Sequence, residues 1–437
     1  MSIIARRPRI CWVVVCCATI SAVASCDRRE VPLASSSTKA QQQRISRPGT
    51  SFERSGIDIP DSEPVVRVKI RHIKARTQVI VSPHQGSLTL VDPVASKQAT
   101  TGPLKVTRRH GRWQGLPLAF SKADMIDLHS DHAISVSQST GKVRQYPGVI
   151  RLLAIGDKDS PDAFVVINIV PMEQYIPGVL AGELYEGWHD AAFEAQAVAA
   201  RGFAVSECQQ RRDHAWDVSD TQASQAYVGV PSWSQAAQCA KRTEGLLPVW
   251  RDQVLPGYFS SCCGGRAATA SDSIGPNPIN AVAPLDGHGA PAQCQSSPMY
   301  TWTQSWNAQS LRKAIQSWGR ARQDDALASL NRIQSITAVS PNAHGRPTRL
   351  EIHTTGDTAT IACIDFPQIL AQSGLESSRS GWVEGSVDAG DLHVQGHGFG
   401  HGVGLCQYGA EAMAASGASA KSILRFYYPG VEIKKAW

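Results

Sequence analysis

The chain has 437 residues, enough to bury a large core and to form two or three domains. Its 43 basic and 37 acidic residues leave a formal charge of +6 with no basic stripe, which excludes a charge-based case for nucleic-acid binding. A mildly basic chain remains compatible with an anionic polymer as partner.

Arg6, Arg7 and Arg9 precede an apolar run from Ile10 to Val23, which closes on Val23-Ala24-Ser25-Cys26. A basic start, a short apolar run and small residues predict a secretory signal over 1–26. The run is too short and interrupted for a comfortable membrane span. Its end is similar to a bacterial lipobox, in which the cysteine is lipidated. Cys26 is thus the expected lipidation site, and a lipid anchor at the cell envelope the expected localisation. Residues 27–64, rich in Ser, Gln, Arg and Pro, read as a disordered tether reaching on the order of 30 Å.

From Val65 the pattern alternates. Val66, Val68 and Ile70 interleave with Arg67, Lys69 and Arg71, and short strands are expected at 78–81, 87–91, 148–154 and 163–169. His189 or Asp190 can cap an alanine-rich helix running to about Arg211. Paired strands are expected at 246–250 and 253–259. A helix near 311–318, strands at 333–339 and 349–353, and closing helices at 407–415 and 420–427 complete the pattern. Strands and helices mix without a βαβ rhythm, so the fold class is α+β, with a β-rich N-terminal portion and a central Ala-rich helix.

Of the eleven cysteines, seven lie beyond Cys26: Cys208, Cys239, Cys262, Cys263, Cys294, Cys363 and Cys406. Export permits disulfides, but an odd number leaves at least one free thiol. No CxxC pair or zinc-finger spacing appears among them. Glu183 lies among Leu180, Leu184, Tyr185 and Trp188, and a carboxyl in such surroundings has a raised pKa and can serve as a general acid.

Four blocks then occur in order: VPMEQYIPGVLAGEL at 170–184, EAQAVAARGFAV at 194–205, QAYVG at 225–229 followed by YFSSCCGGRAAT at 258–269, and GHGFGHGVGLCQYGA at 396–410, continuing to FYYPGV at 426–431. In this order they resemble the SpoIID/LytB family, the stage II sporulation protein D and amidase-enhancer proteins of bacterial cell-wall biology. The likeness covers 65–431, and the expected domain is a SpoIID-like unit over 65–437 with core motifs at 165–270 and 391–431. The resemblance implies a peptidoglycan lytic transglycosylase that cleaves between N-acetylmuramic acid and N-acetylglucosamine on peptide-stripped strands. The family's catalytic glutamate falls on Glu183. One carboxyl suffices for this chemistry: it protonates the glycosidic oxygen, then deprotonates the muramic C6 hydroxyl, leaving a 1,6-anhydro end. Expected substrate contacts are Gln196, Arg201, Gln225, Tyr227, His401, Gln407 and Tyr408.

The family's Ser-Glu-Met-Pro reads Gly182-Glu183-Leu184-Tyr185 here. Some members carry zinc on Cys and His residues before the Q-x-Y block. Val218 to Gln225 lacks those ligands, so no metal and no cofactor are expected. Glu173 and Glu194 are expected in salt bridges. His397 and His401 are four apart, but the intervening glycines argue against a helix that would align them on a metal. A thiol nucleophile at Cys262-Cys263 is disfavoured against a disulfide, for which Cys263–Cys294 is the pair to test. The alternative to catalysis is a peptidoglycan-binding enhancer of a partner amidase.

Overall fold

The computed structural model describes residues 56–437 except 74–77, 94–96, 139–140, 158 and 290–292. The expected signal, the Cys26 site and most of the tether lie outside the described residues. Ile57, ahead of the expected boundary at Val65, is already buried in the core, with Val254 N–H donating to its carbonyl at 2.8 Å.

The N-terminal portion is two antiparallel sheets that share one apolar core. The larger runs in the order Val218–Ser219, Val65–Lys69, Phe164–Pro171, Val149–Ala154, Met125–His129, Leu88–Val91, Lys97–Thr100. Only the pairing of Val65–Lys69 with Val218–Ser219 is parallel. The other sheet joins Arg112–Gln114, Leu104–Arg109, Val79–Pro83, Ile134–Gln138 and Arg144–Tyr146. Val66, Val68, Val79, Val81, Ile134 and Val136 have no exposed surface and meet in the shared core. This is the alternation read from the sequence, now with its inward face identified. Phe164–Pro171 lies between two partner strands and is buried on both faces for five residues, which explains its unbroken apolar run.

The chain turns from that strand directly into a helix, Met172–Glu183, where no helix is expected from the sequence. Pro177 and two glycines disfavour it locally. Burial of Met172, Tyr175, Ile176, Val179 and Leu180 against the first core outweighs that cost. The alanine-rich helix spans Asp190–Gln210. Alanine loses no side-chain entropy and lets neighbours approach from several sides, so this helix is buried nearly all round. It contacts the preceding helix, Ser234–Arg242 and both closing helices, Gln407–Ala415 and Ala420–Tyr427. Its N-cap is His189, but the His189 side chain makes no cap; its Nδ1 lies 2.8 Å from Glu411.

The expected strand at 253–259 is two fragments, Gln253–Val254 and Phe259–Ser260, because Pro256 and Gly257 break the pairing. A Cβ at Gly257 would overlap the Ala199 carbonyl, so the central helix lies directly against this break. A third, wholly antiparallel sheet (301–307, 391–397, 383–388, 333–341, 347–354, 358–362) carries the Ala308–Arg322 helix and has its own core.

Arg201 on the central helix has no exposed surface. Its Nε and Nη2 donate to the Glu173 carboxylate at 3.0 and 2.7 Å, Nη1 donates to Thr243 Oγ1 at 3.0 Å, and Nη2 also reaches the Ala240 carbonyl. Glu173 further accepts from Gly245 N–H and Trp437 Nε1. The expected salt bridge of Glu173 is therefore present, and that of Glu194 is made with Arg242 at 2.6 Å. Arg201→Met leaves a partly buried carboxylate without its cation and should destabilise the protein by about 3–5 kcal/mol. Denaturant unfolding at neutral pH checks this.

Candidate functional site

Glu183 is the last residue of the Met172–Glu183 helix and faces a cleft of about 400 Å³. The helix presents Gly178 and Gly182 to the 226–229 segment. A Cβ at Gly178 would overlap the Gly229 carbonyl, and one at Gly182 the Ala226 carbonyl. This approach brings Ala226 N–H to Glu183 Oε1 at 2.6 Å. From the opposite wall Gln407 Nε2 donates to Oε2 at 3.1 Å. The altered residue before the acid, Gly182, therefore has a steric reason: it admits the strand-like segment that orients the carboxylate.

Burial raises the Glu183 pKa, and the donors Ala226 and Gln407 only partly oppose it. The helix C-terminus, with its partial negative charge, acts in the same raising direction. Neither oriented oxygen meets a cation among the described residues, so the carboxyl is kept protonatable. Glu207 is the other carboxyl lining the cleft, and burial raises its pKa as well. The sequence reading missed it. It falls on the central helix four residues before the expected end, and nothing in its neighbours marks it.

The remaining cleft walls come from distant blocks. Tyr258, Phe259, Ser260 and Ser261 form one side, and Phe399, Gly400 and His401 another. They are joined by a parallel pairing of Phe259–Ser260 with Leu405–Cys406 and by a bridge between Cys262 and Phe399. Gly398, Gly400, Gly402 and Gly404 all have positive φ, which gives a non-helical path through this block. His401 Nδ1 accepts from Val403 N–H at 3.0 Å. Burial and the nearby Arg346 push its pKa down to about 4, so it is neutral at physiological pH. Among the described residues, His401 belongs to no group of three potential ligands close enough for one ion.

The expected substrate contacts divide in two. His401 and Gln407 line the cleft. Tyr408 stands beside it in an aromatic group, its ring 5.1 Å from Trp188 and 6.3 Å from Tyr185. Tyr185 is 58% exposed, so the residue that replaces the family's proline adds an outward-facing amphipathic ring near the acid. Gln196, Arg201, Gln225 and Tyr227, by contrast, are at most 1% exposed and do not line the cleft. Their expected substrate contact is corrected, because a side chain without exposed surface cannot touch a polymer. Gln225 accepts from Tyr175 and donates to the Ala200 carbonyl, and Tyr227 donates to Asn168. They support the 226–229 segment that holds Glu183. Gln196 has no hydrogen-bond partner among the described residues.

The stretch where some family members hold zinc does not fit a metal here. Asp220 Oδ1 accepts from Arg71 N–H at 2.7 Å, and its Oδ2 lies 2.9 Å from His72 Nδ1 and 3.7 Å from Arg144. The Cys263 and Cys294 sulfurs, the expected disulfide pair, lie 3.7 Å apart, and all seven described cysteines are free thiols. Among the described residues, the sulfurs of Cys262, Cys294 and Cys406 are the only group of three or more potential His, Cys, Asp or Glu ligands close enough for one ion.

Comparison with known proteins gives a match of residues 160–249 to the model of the stage II sporulation protein family and of residues 286–404 to a domain of unknown function. An uncharacterised protein of Brachyspira hyodysenteriae is 31% identical over 275 residues, covering 62% of this chain and 69% of that protein. Stage II sporulation protein D of Bacillus amyloliquefaciens is 27% identical over 294 residues, covering 62% and 76%. The amidase enhancer of Bacillus subtilis is 24% identical over 296 residues, covering 59% of this chain but only 40% of that protein.

Glu183→Gln keeps the shape of the site and removes its titration. A raised folded-state pKa contributes stability that is present below the unfolded value of about 4 and is lost as pH rises through the folded value. The variant should therefore be more stable than the parent at pH 7 and lose that advantage near pH 4. Thermal melts across that range check the sign.

Proposed function

The chain belongs to the SpoIID/LytB family and has a cell-wall-related function, and on that premise we propose that it is a lytic transglycosylase acting on peptidoglycan glycan strands. The observation that carries the proposal is Glu183, a carboxyl raised by burial and oriented by two neutral donors in a cleft. Protonated Glu183 gives its proton to the glycosidic oxygen as the bond to the muramic anomeric carbon breaks. The resulting carboxylate takes the proton of the muramic C6 hydroxyl, whose oxygen bonds to that carbon. Glu183 is then protonated again, and no water or covalent enzyme intermediate enters. Gln407 and Ala226 N–H stabilise the carboxylate between the two transfers, and the Tyr185, Trp188 and Tyr408 rings offer a stacking surface to a neighbouring sugar. His401 serves as a neutral part of the wall.

Glu207 in the same cleft supports a second reading, hydrolysis by paired carboxyls with water as nucleophile. A third is the non-catalytic enhancer, for which the likeness to an amidase enhancer speaks. Peptide-free glycan strands separate them by mass spectrometry of the products. Anhydromuramic ends that fall about 10²–10⁴-fold with Glu183→Gln support the transglycosylase. Reducing ends lost with Glu207→Gln support hydrolysis. Binding and amidase stimulation without cleavage support the enhancer. Under the leading reading the rate falls as pH rises through the raised Glu183 pKa.

The proposed location is the cell envelope, with Cys26 carrying the lipid. Cys26→Ala should move the protein from the membrane fraction to the soluble fraction, and an unchanged distribution would remove the anchor.

A further inference from the structure

We propose that Cys262, Cys294 and Cys406, with Cys263 beside them, bind one zinc ion as thiolates, behind the wall of the Glu183 cleft. The sulfurs of Cys262, Cys294 and Cys406 all lie within 4.8 Å of one another, and that of Cys263 lies 3.7 Å from Cys294. A disulfide would bring two sulfurs to about 2.05 Å. A tetrahedral zinc with Zn–S of about 2.3 Å separates its sulfurs by roughly 3.8 Å. The Cys263–Cys294 spacing is not that of a disulfide, and the sulfurs of Cys262, Cys294 and Cys406 are close enough to one another for one ion, with Cys263 next to that group.

The surroundings suit a thiolate centre. All four cysteines are at most 1% exposed. Cys263 N–H donates to the Cys406 sulfur at 3.4 Å. Gly264 and Gly265, which follow, both have positive φ and turn the chain sharply at this point. Three thiolates around zinc carry a net negative charge. Arg346, itself 5% exposed, lies against the same loop, donating to the Cys263 carbonyl and, at 3.2 Å, to the Arg266 carbonyl. The Tyr427 hydroxyl is buried and has no hydrogen-bond partner among the described residues. That oxygen and the Cys406 sulfur both border the space beside Gly409.

The three ligands come from three segments far apart in sequence. Cys262 and Cys263 follow the strand Phe259–Ser260. Cys294 lies in the loop before the third sheet. Cys406 ends the strand that leads into Gln407. The ion would therefore tie together two walls of the cleft and fix the residue that holds Glu183 Oε2. Its role is positioning, and it touches no reacting atom.

The test is the metal content of the full chain purified without chelator, together with uptake of added zinc or cobalt(II) after chelation. One zinc per chain is expected, with a thiolate-to-cobalt charge-transfer absorption on substitution. Cys294→Ser and Cys406→Ser should each weaken zinc binding at least tenfold, whereas Cys294→His, which retains a zinc ligand, should preserve it. Added zinc should raise the melting temperature of the parent protein and not that of Cys406→Ser. A peptide map showing a disulfide between any two of the four, with no metal present, overturns the proposal. So does reduced protein that takes up no zinc, or uptake unchanged by Cys406→Ser. None of these measurements uses glycan, so the result stands apart from the assay of Glu183.

Discussion

The ion pair between Arg201 and Glu173 underlies the rest of the architecture. A guanidinium with no exposed surface must be paired and hydrogen-bonded, and here its donors go to Glu173, Thr243 and the Ala240 carbonyl. That set joins the central helix to the first turn of the Met172–Glu183 helix and to the end of Ser234–Arg242. Through Glu173 it reaches the Gly245 turn and the C-terminal Trp437. Glu183 lies at the other end of the same helix, three turns away, so its direction is inherited from a clamp outside the cleft.

The two glutamates of that helix show how environment assigns roles to one residue type. Glu173, in the first turn, is matched by the helix dipole and by a cation. Glu183, in the last turn, is opposed by the dipole, meets two neutral donors and has its pKa raised by burial. One carboxylate serves as a structural anion, and the other is kept available for a proton.

The cleft depends on contacts between segments that are distant in the chain. The parallel pairing of Phe259–Ser260 with Leu405–Cys406 sets Gln407 opposite the helix end and brings the four cysteines together. The glycines on this route are spatial requirements: Gly182 admits Ala226, and Gly404 admits the Tyr258 carbonyl.

The sequence alone determined the α+β class, the alternating strands of the first core, both closing helices and the glutamate on which to concentrate. Those features are carried by local periodicity and by ordered motifs, which need no knowledge of distant neighbours. Even the Met172–Glu183 helix had a readable pattern, apolar at 172, 175, 176 and 179, obscured by Pro177 and the glycines. Only the tertiary structure decided which motif residues face the cleft. Gln196, Arg201, Gln225 and Tyr227 are polar or amphipathic residues inside matching blocks, yet they are buried, and polarity by itself does not distinguish a substrate contact from a satisfied interior group. The tertiary structure also decided that Glu207 shares the cleft and that cysteines 31 to 144 residues apart converge. Convergence of this kind follows from how sheets and helices pack, and linear spacing does not encode it.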